Sequence, residues 1–183
     1  VVSTLCAETG FPTYVLTMPL HSKKGNTELS DAHAKALSKK YSNVRVVNID
    51  LSNTYESLLF DIDQDFVNNK LANANTKSRL RMVSLYQVAG SVGGIVVGTG
   101  NKVEDYGVGF YTKYGDGGVD IAPIADLYKT EVRELGGYLG VDDLIIDAKP
   151  TDGLWEDGRS DEDQIGATYE QLEEAMENGT GNA

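Results

Sequence analysis

A single cysteine, Cys6, stands in 183 residues, which excludes an internal disulfide framework and suits a reducing cytoplasm. It lies in the apolar run VVSTLCA, so a buried structural thiol is expected rather than a nucleophile. No apolar run approaches the roughly 20 residues that a bilayer-spanning helix needs. No basic segment precedes the N-terminal apolar run, so neither a membrane span nor a signal peptide is expected. Positive charge is scarce: 16 Lys and Arg stand against 28 Asp and Glu, a net charge of −12. Nucleic acid and anionic membrane surfaces both require clustered excess Lys and Arg, so neither partner is expected. A few local cations can still hold an anionic small substrate. Internal repeats, low-complexity tracts and an initiator Met are also missing. The expectation is one domain over residues 1–183, taken from a longer chain.

What is present is an alternation of short apolar runs and helical patterns. TYVLTM at 13–18, VRVVNIDL at 44–51, GGIVVG at 93–98 and LIIDA at 144–148 read as strands, with the near-continuous hydrophobicity of strands buried on both faces. Residues 28–41, 53–61, 76–90 and 126–139 read as helices, the second with Asn53 and Glu56 as a capped start. This order implies βαβ units and a parallel sheet, an α/β fold with ligands gathered at the carboxyl ends of the strands. Those ends are MPLHSKKGN, DLSNTYES and GTGNKVED. The acidic runs SDED at 160–163 and EQLEEAMEN at 170–178 read mainly as a solvated helix start and helix face.

Several residues carry candidate chemistry, each beside a plainer reading. Gly98 and Gly100 permit close backbone approach, and Thr99 adds a hydroxyl. Glu104 reads as a helix cap or as a magnesium ligand. In FYTKYGDGG, the aromatics around Lys113 exceed what a turn at Gly115–Gly118 requires. Lys129 is a surface lysine or a point charge for a phosphate. Lys77, Arg79 and Arg81 pair with acids or bind an anion. Thr151, in a long polar stretch that holds the sole Trp, caps a turn or meets a phosphate.

The order of these segments is more specific than any one of them. Arg-x-Arg-Met at 79–82, VVGTGNKVED, GFYTKYGDGGVDIAPIADLYKTEV, PTDGLW and DEDQIGATYEQLE together resemble the NAD synthetase family over about residues 71 to 176. The resemblance implies a Rossmann-like, three-layer parallel sheet of the adenine-nucleotide α-hydrolase type. It implies a homodimer and the ATP-dependent amidation of deamido-NAD by ammonia, with AMP and pyrophosphate released. Thr99, Lys129 and Thr151 would contact ATP, and Glu104 would bind Mg2+. Arg79, Lys113, Asp120 and Phe110 would hold deamido-NAD, while Asp116 would handle ammonia. The family's Ser-Gly-Gly-x-Asp-Ser loop and its C-terminal His-Lys pair are not in this stretch. MPLHSKK replaces an Arg-containing segment of many relatives, and Gln164 stands where many are acidic. Two alternatives are a nucleotide-binding module without turnover and an ATP pyrophosphatase acting on another acceptor.

Overall fold

The computed structural model describes residues 1–21, 24–155 and 157–179. Ser22 and Lys23 of the MPLHSKKGN segment, and Glu156 of the long polar stretch, lie outside the described residues.

Val, Leu and Thr drive two five-residue strands, β1 (Thr13–Thr17) and β2 (Val44–Asn48). They pair in parallel, Thr13 opposite Val44 through Thr17 opposite Asn48. Helix α2 (Lys24–Lys40) makes the crossover between them, as a parallel pair requires. Helix α1 (Val2–Glu8) precedes β1. Ala7 of α1, Leu37 of α2 and Val44 of β2 form one buried cluster, joined by Val15 and Tyr41. Ala34 is also fully buried, so the inward stripe of α2 runs through 34 and 37 while Ala36 is exposed. Cys6 is half-buried, and burial pushes its thiol pKa up, away from thiolate chemistry.

A second cluster lies beyond the strand ends. Leu20, Leu51 and Tyr55 are buried there, packed with Met18, Ile49, Leu59 and Leu80. Tyr55 comes from α3 (Ser52–Asp61) and Leu80 from α4 (Lys70–Val92). The expected cap of α3 at Asn53 and Glu56 is not what forms. The helix begins one residue earlier, Asp50 accepts the Ser52 N–H at 2.9 Å, and Glu56 pairs with His21 at 3.3 Å.

Two strand expectations are corrected. In GGIVVG, Gly93 is the left-handed C-cap of α4 at φ +66°, so only Val96–Gly98 remains to pair. It makes a single parallel bridge, Val97 opposite Ile121. LIIDA is not a strand: Asp142 caps Leu144 N–H at 2.9 Å and starts the short helix α6 (Asp143–Ile146). The local cap overrides the β preference of two isoleucines. Helix α5 (Lys129–Tyr138) begins three residues later than expected, where Glu131 accepts the Tyr128 N–H. Helices α7 (Asp161–Ile165) and α8 (Tyr169–Asn178) start at Ser160 and Thr168 with reciprocal caps. Among the described residues no helix is long and apolar enough to cross a membrane.

Candidate functional site

Helix α4 organises the site through two of its faces. Residues 75, 78, 79, 82 and 86 recur at helical spacing and line up along the 110–120 segment. Thr112 Oγ1 donates to Asn75 at 2.7 Å, and Ser78 Oγ donates to Asp116 Oδ1 at 2.6 Å. Arg79 Nε donates to the Lys113 carbonyl at 3.1 Å. Tyr86 OH donates to Asp120 Oδ1 at 3.1 Å, while Asp120 Oδ2 accepts the Val96 N–H at 2.7 Å. Lys77 and Arg81, four residues apart, lie to the other side. They donate to the carbonyls of Leu154 and Met18 at 3.2 and 3.3 Å. Lys77, Arg79 and Arg81 therefore each hold a backbone carbonyl, an outcome that neither sequence reading anticipated. Burial lowers the Arg81 pKa, and the charge of Asp152 opposes that shift.

The KYGDGG turn is tight. Asp116 Oδ1 also accepts the Thr112 N–H at 3.1 Å, and Asp116 N–H donates to Ser78 Oγ at 3.0 Å. Gly115 is pressed against α4: a Cβ there would lie 2.2 Å from Ser78 Oγ. Tyr114 is held at φ +61°, an uncommon conformation for a residue with a side chain. Lys113 and Tyr114 are exposed, and the Lys113 ammonium lies 5.1 Å from the Tyr114 ring centre.

Glu104 opens a second grouping. It sits in a π-helix, Val103–Val108, whose wide turn ends on Gly109 at φ +66°. Asn101 is fully buried and accepts the N–H groups of Val103 and Glu104 through its side chain. The Glu104 carboxylate is met by three donors: Lys129 Nζ at 3.0 Å, Tyr169 OH at 2.7 Å and Asn101 N–H at 3.3 Å. Burial alone would raise its pKa, but Lys129, Tyr169 and Asn101 together hold it below the ordinary carboxylate range. The Lys129 ammonium also lies 4.8 Å from the centre of the Tyr169 ring. Lys129 opens α5, whose next N–H, that of Thr130, is accepted by the buried Glu173 at 3.1 Å.

Asp161 adjoins this grouping. It is 7% exposed, and burial raises its pKa from 3.8 to about 6, with Asp152 and Glu104 adding to the rise against Lys129. Burial pushes the Tyr169 phenol far up, with Glu104 next, so it remains a proton donor. Asp161, Glu173 and Tyr169 were missed as site groups. Their neighbours Asp163, Glu170 and Glu174 are exposed, as the solvated reading of these runs expects.

Thr151 stands apart from Lys129's contacts. Its Oγ1 donates to the Arg159 carbonyl and accepts the Gly153 N–H, both at 3.2 Å. It lines a cavity of about 280 Å³ with Thr17, Met18, Arg81 and Asp152, at the carboxyl end of β1. Thr99 is exposed and Phe110 half-buried, its N–H donating to the Glu104 carbonyl at 2.8 Å. The fold thus brings together Glu104 with Lys129, and Arg79 with Lys113, Asp116 and Asp120.

The raised Asp161 pKa gives a signed expectation for the chain in chelator. Between about pH 4 and about pH 6 the folded state keeps a proton that the unfolded chain has released, so stability falls as pH rises through that window. Glu104 acts oppositely: its contribution is present above its unfolded pKa and is lost as pH falls. Asp161→Asn is expected to remove the falling limb. Thermal melts of both chains across this window check it, and identical slopes would refute it.

The family model described as NAD synthase matches residues 1–181. The NH(3)-dependent NAD(+) synthetase of Methanococcoides burtonii is 42% identical over 163 residues, 86% of this chain and 59% of that protein. That of Finegoldia magna is 39% identical, covering 89% of this chain and 64% of that one. The chain spans about three fifths of the length of these curated relatives. Among solved structures, an NMN synthetase from Francisella tularensis matches with a TM-score of 0.87 and 32% identity, over 100% of this chain and 73% of that one. An NH3-dependent NAD synthetase from Campylobacter jejuni matches in fold, with a TM-score of 0.74 and 24% identity over 97% of this chain and 68% of that one. The parallel α/β architecture is accordingly Rossmann-like.

Proposed function

The chain belongs to the NAD synthase family, and from that premise we propose that its full-length parent amidates deamido-NAD to NAD with free ammonia and ATP. The nicotinate carboxylate attacks the α-phosphorus, forming an acyl adenylate as pyrophosphate leaves. Ammonia then attacks the acyl carbon and gives up one proton, by way of the Asp116 carboxylate to solvent, and AMP departs with the electron pair of the broken C–O bond. Anion meets anion in the first step, so fixed positive charge must offset the repulsion. The observation that carries the reading is the Lys129 ammonium, fixed by Glu104 and Tyr169 rather than free in solvent.

Lys129, Thr99 and Thr151 are assigned to ATP, and Arg79, Lys113, Asp120 and Phe110 to deamido-NAD. The donor set fits Mg2+: Glu104 is a hard carboxylate, and the buried Oδ1 of Asp161 has no partner. Bound there, the ion would offset polyphosphate charge. Asp116 is assigned to ammonia; its Oδ1 pins the turn, so Asn, which keeps that acceptor, is the informative substitution. Asp116→Asn is expected to raise the ammonia KM about tenfold or more, with the ATP KM little changed. Initial rates against ammonium concentration test this, and an unchanged ammonia dependence would remove Asp116 from the role. A homodimer is proposed as well, supported by the exposed Phe60 and Phe66. The cytoplasmic location expected from the lone Cys6 is carried with it.

A second reading has its own support. The match to the Francisella tularensis NMN synthetase makes nicotinate mononucleotide an alternative acceptor for the same chemistry. The deciding experiment supplies the full-length protein with ATP, Mg2+ and ammonium, and offers deamido-NAD and nicotinate mononucleotide in competition. NAD formed in step with AMP supports the first reading, and NMN the second. AMP without either amide points to another acceptor, and no turnover to a binding module.

A further inference from the structure

The strongest unexplained group among the described residues is Asp161. Its Oδ1 is buried with no hydrogen-bond partner, in a residue only 7% exposed. A buried carboxylate oxygen without a donor is costly, and such atoms are rare in folded proteins. Two donors stand beside the carboxylate, the Asp152 N–H and the Tyr169 hydroxyl, and neither completes a hydrogen bond to Oδ1. Tyr169 has one hydroxyl proton, and distance decides where it goes: Glu104 Oε1 is 2.7 Å away, whereas Asp161 Oδ2 is 3.5 Å away. Lys129 bonds Glu104 at 3.0 Å and is the one ammonium acting on both Glu104 and Asp161, while Arg81 and Arg159 face Asp152. Glu104 and Asp161 together therefore carry more negative than positive charge in a largely dry place.

We propose that Asp161 is a second carboxylate ligand of the divalent cation assigned to Glu104, with Tyr169 as the positioning residue between the two. The inference rests on the cation reading above and extends it to a residue outside the sequence expectations. A hard cation such as Mg2+ or Mn2+ takes oxygen ligands and keeps several waters, so two carboxylates make an adequate protein share of its shell. Tyr169 fits the positioning role because its ring is fully buried and its single proton fixes the orientation of Glu104. The only donors the described residues offer the Asp161 carboxylate are weak or backbone, which leaves Oδ1 for the ion.

The test measures Mn2+ binding by calorimetry to the full-length protein, to Asp161→Asn and to Glu104→Gln, with ATP absent. Thermal melts in chelator accompany each titration. The expected result is a Kd raised about tenfold or more in both variants. Asp161→Asn is also expected to melt in chelator at or above the temperature of the parent, because it removes an unpaired buried charge. A Kd within twofold of the parent for Asp161→Asn, with Glu104→Gln weakened, overturns the role of Asp161 and leaves the cation at Glu104. Unchanged binding in both variants overturns the cation reading as well. Failure of Asp161→Asn to fold in chelator overturns the ligand role in favour of a structural one. Asp161→Glu, which keeps the charge, is expected to recover part of the lost affinity, and no recovery counts against the proposal.

Discussion

Lys129→Met in the full-length protein is expected to lower kcat/KM for ATP by about 10³-fold, the scale of removing one fixed positive group from a site of developing phosphate charge. The substitution keeps most of the side-chain volume and removes only the ammonium. It therefore also breaks the ion pair with Glu104, whose partners are 22% and 15% exposed at the side chain. Losing one member of a pair this well buried costs about 2–3 kcal/mol, below the figure for a fully buried pair because some solvent reaches it. The pH signature follows from the depressed Glu104 pKa, which Lys129 helps to hold against burial. Without the lysine, the stability that Glu104 adds above its unfolded pKa shrinks, and the loss on acidification is smaller. Steady-state kinetics and denaturant melts at two pH values measure both effects. A kcat/KM within threefold of the parent would remove Lys129 from catalysis and leave it a purely structural ion pair.

The second large effect is expected at Gly115. An alanine Cβ would lie 2.2 Å from Ser78 Oγ and 2.9 Å from both Cβ and Cγ2 of Thr112, and these neighbours belong to the hydrogen bonds that hold the turn on α4. Overpacking of this kind costs about 2–3 kcal/mol. The turn also presents Lys113, Asp116 and Asp120, so displacement should raise the KM for the nicotinate substrate about a hundredfold while the ATP KM moves far less. Gly109→Ala is the control. Its φ of +66° makes alanine unfavourable by about 1 kcal/mol, but nothing lies within 4 Å of the added carbon. Melting curves and substrate titrations of the two variants separate crowding from backbone strain. Equal effects would show that the close approach of Gly115 to α4 carries no special weight.

Much of this was legible before any coordinate. Glu104 and Lys129 stand in a segment order that few folds share, and 25 residues of separation close to a 3.0 Å contact. The four periodic segments formed helices, with α2 and α4 beginning four and six residues earlier than expected and α5 three residues later. What failed was local competition: Asp142 turned Leu144–Ile146 into helix, and ending α4 at Gly93 took the first three residues of an expected strand. Asp161 and Tyr169 were illegible for another reason. A carboxylate in SDED looks solvated until Pro150 accepts its N–H and α8 brings a phenol beside it, and both contacts are tertiary. Lys77, Arg79 and Arg81 were read as partners for anions or acids, yet each donates to a carbonyl that only the folded chain supplies.

The π-helix has a consequence for how related chains should be aligned. From Asn101 to Glu104 the spacing is fixed by two N–H groups on one side-chain oxygen, so no gap belongs there. From Asp105 to Gly109 the turn is wider than an α-helix by about one residue. A relative lacking that residue would keep its glutamate in place and close the turn as ordinary helix. A single-position gap in that interval is therefore the natural length variation of the motif, whereas the same gap three residues earlier would separate the carboxylate from its lysine.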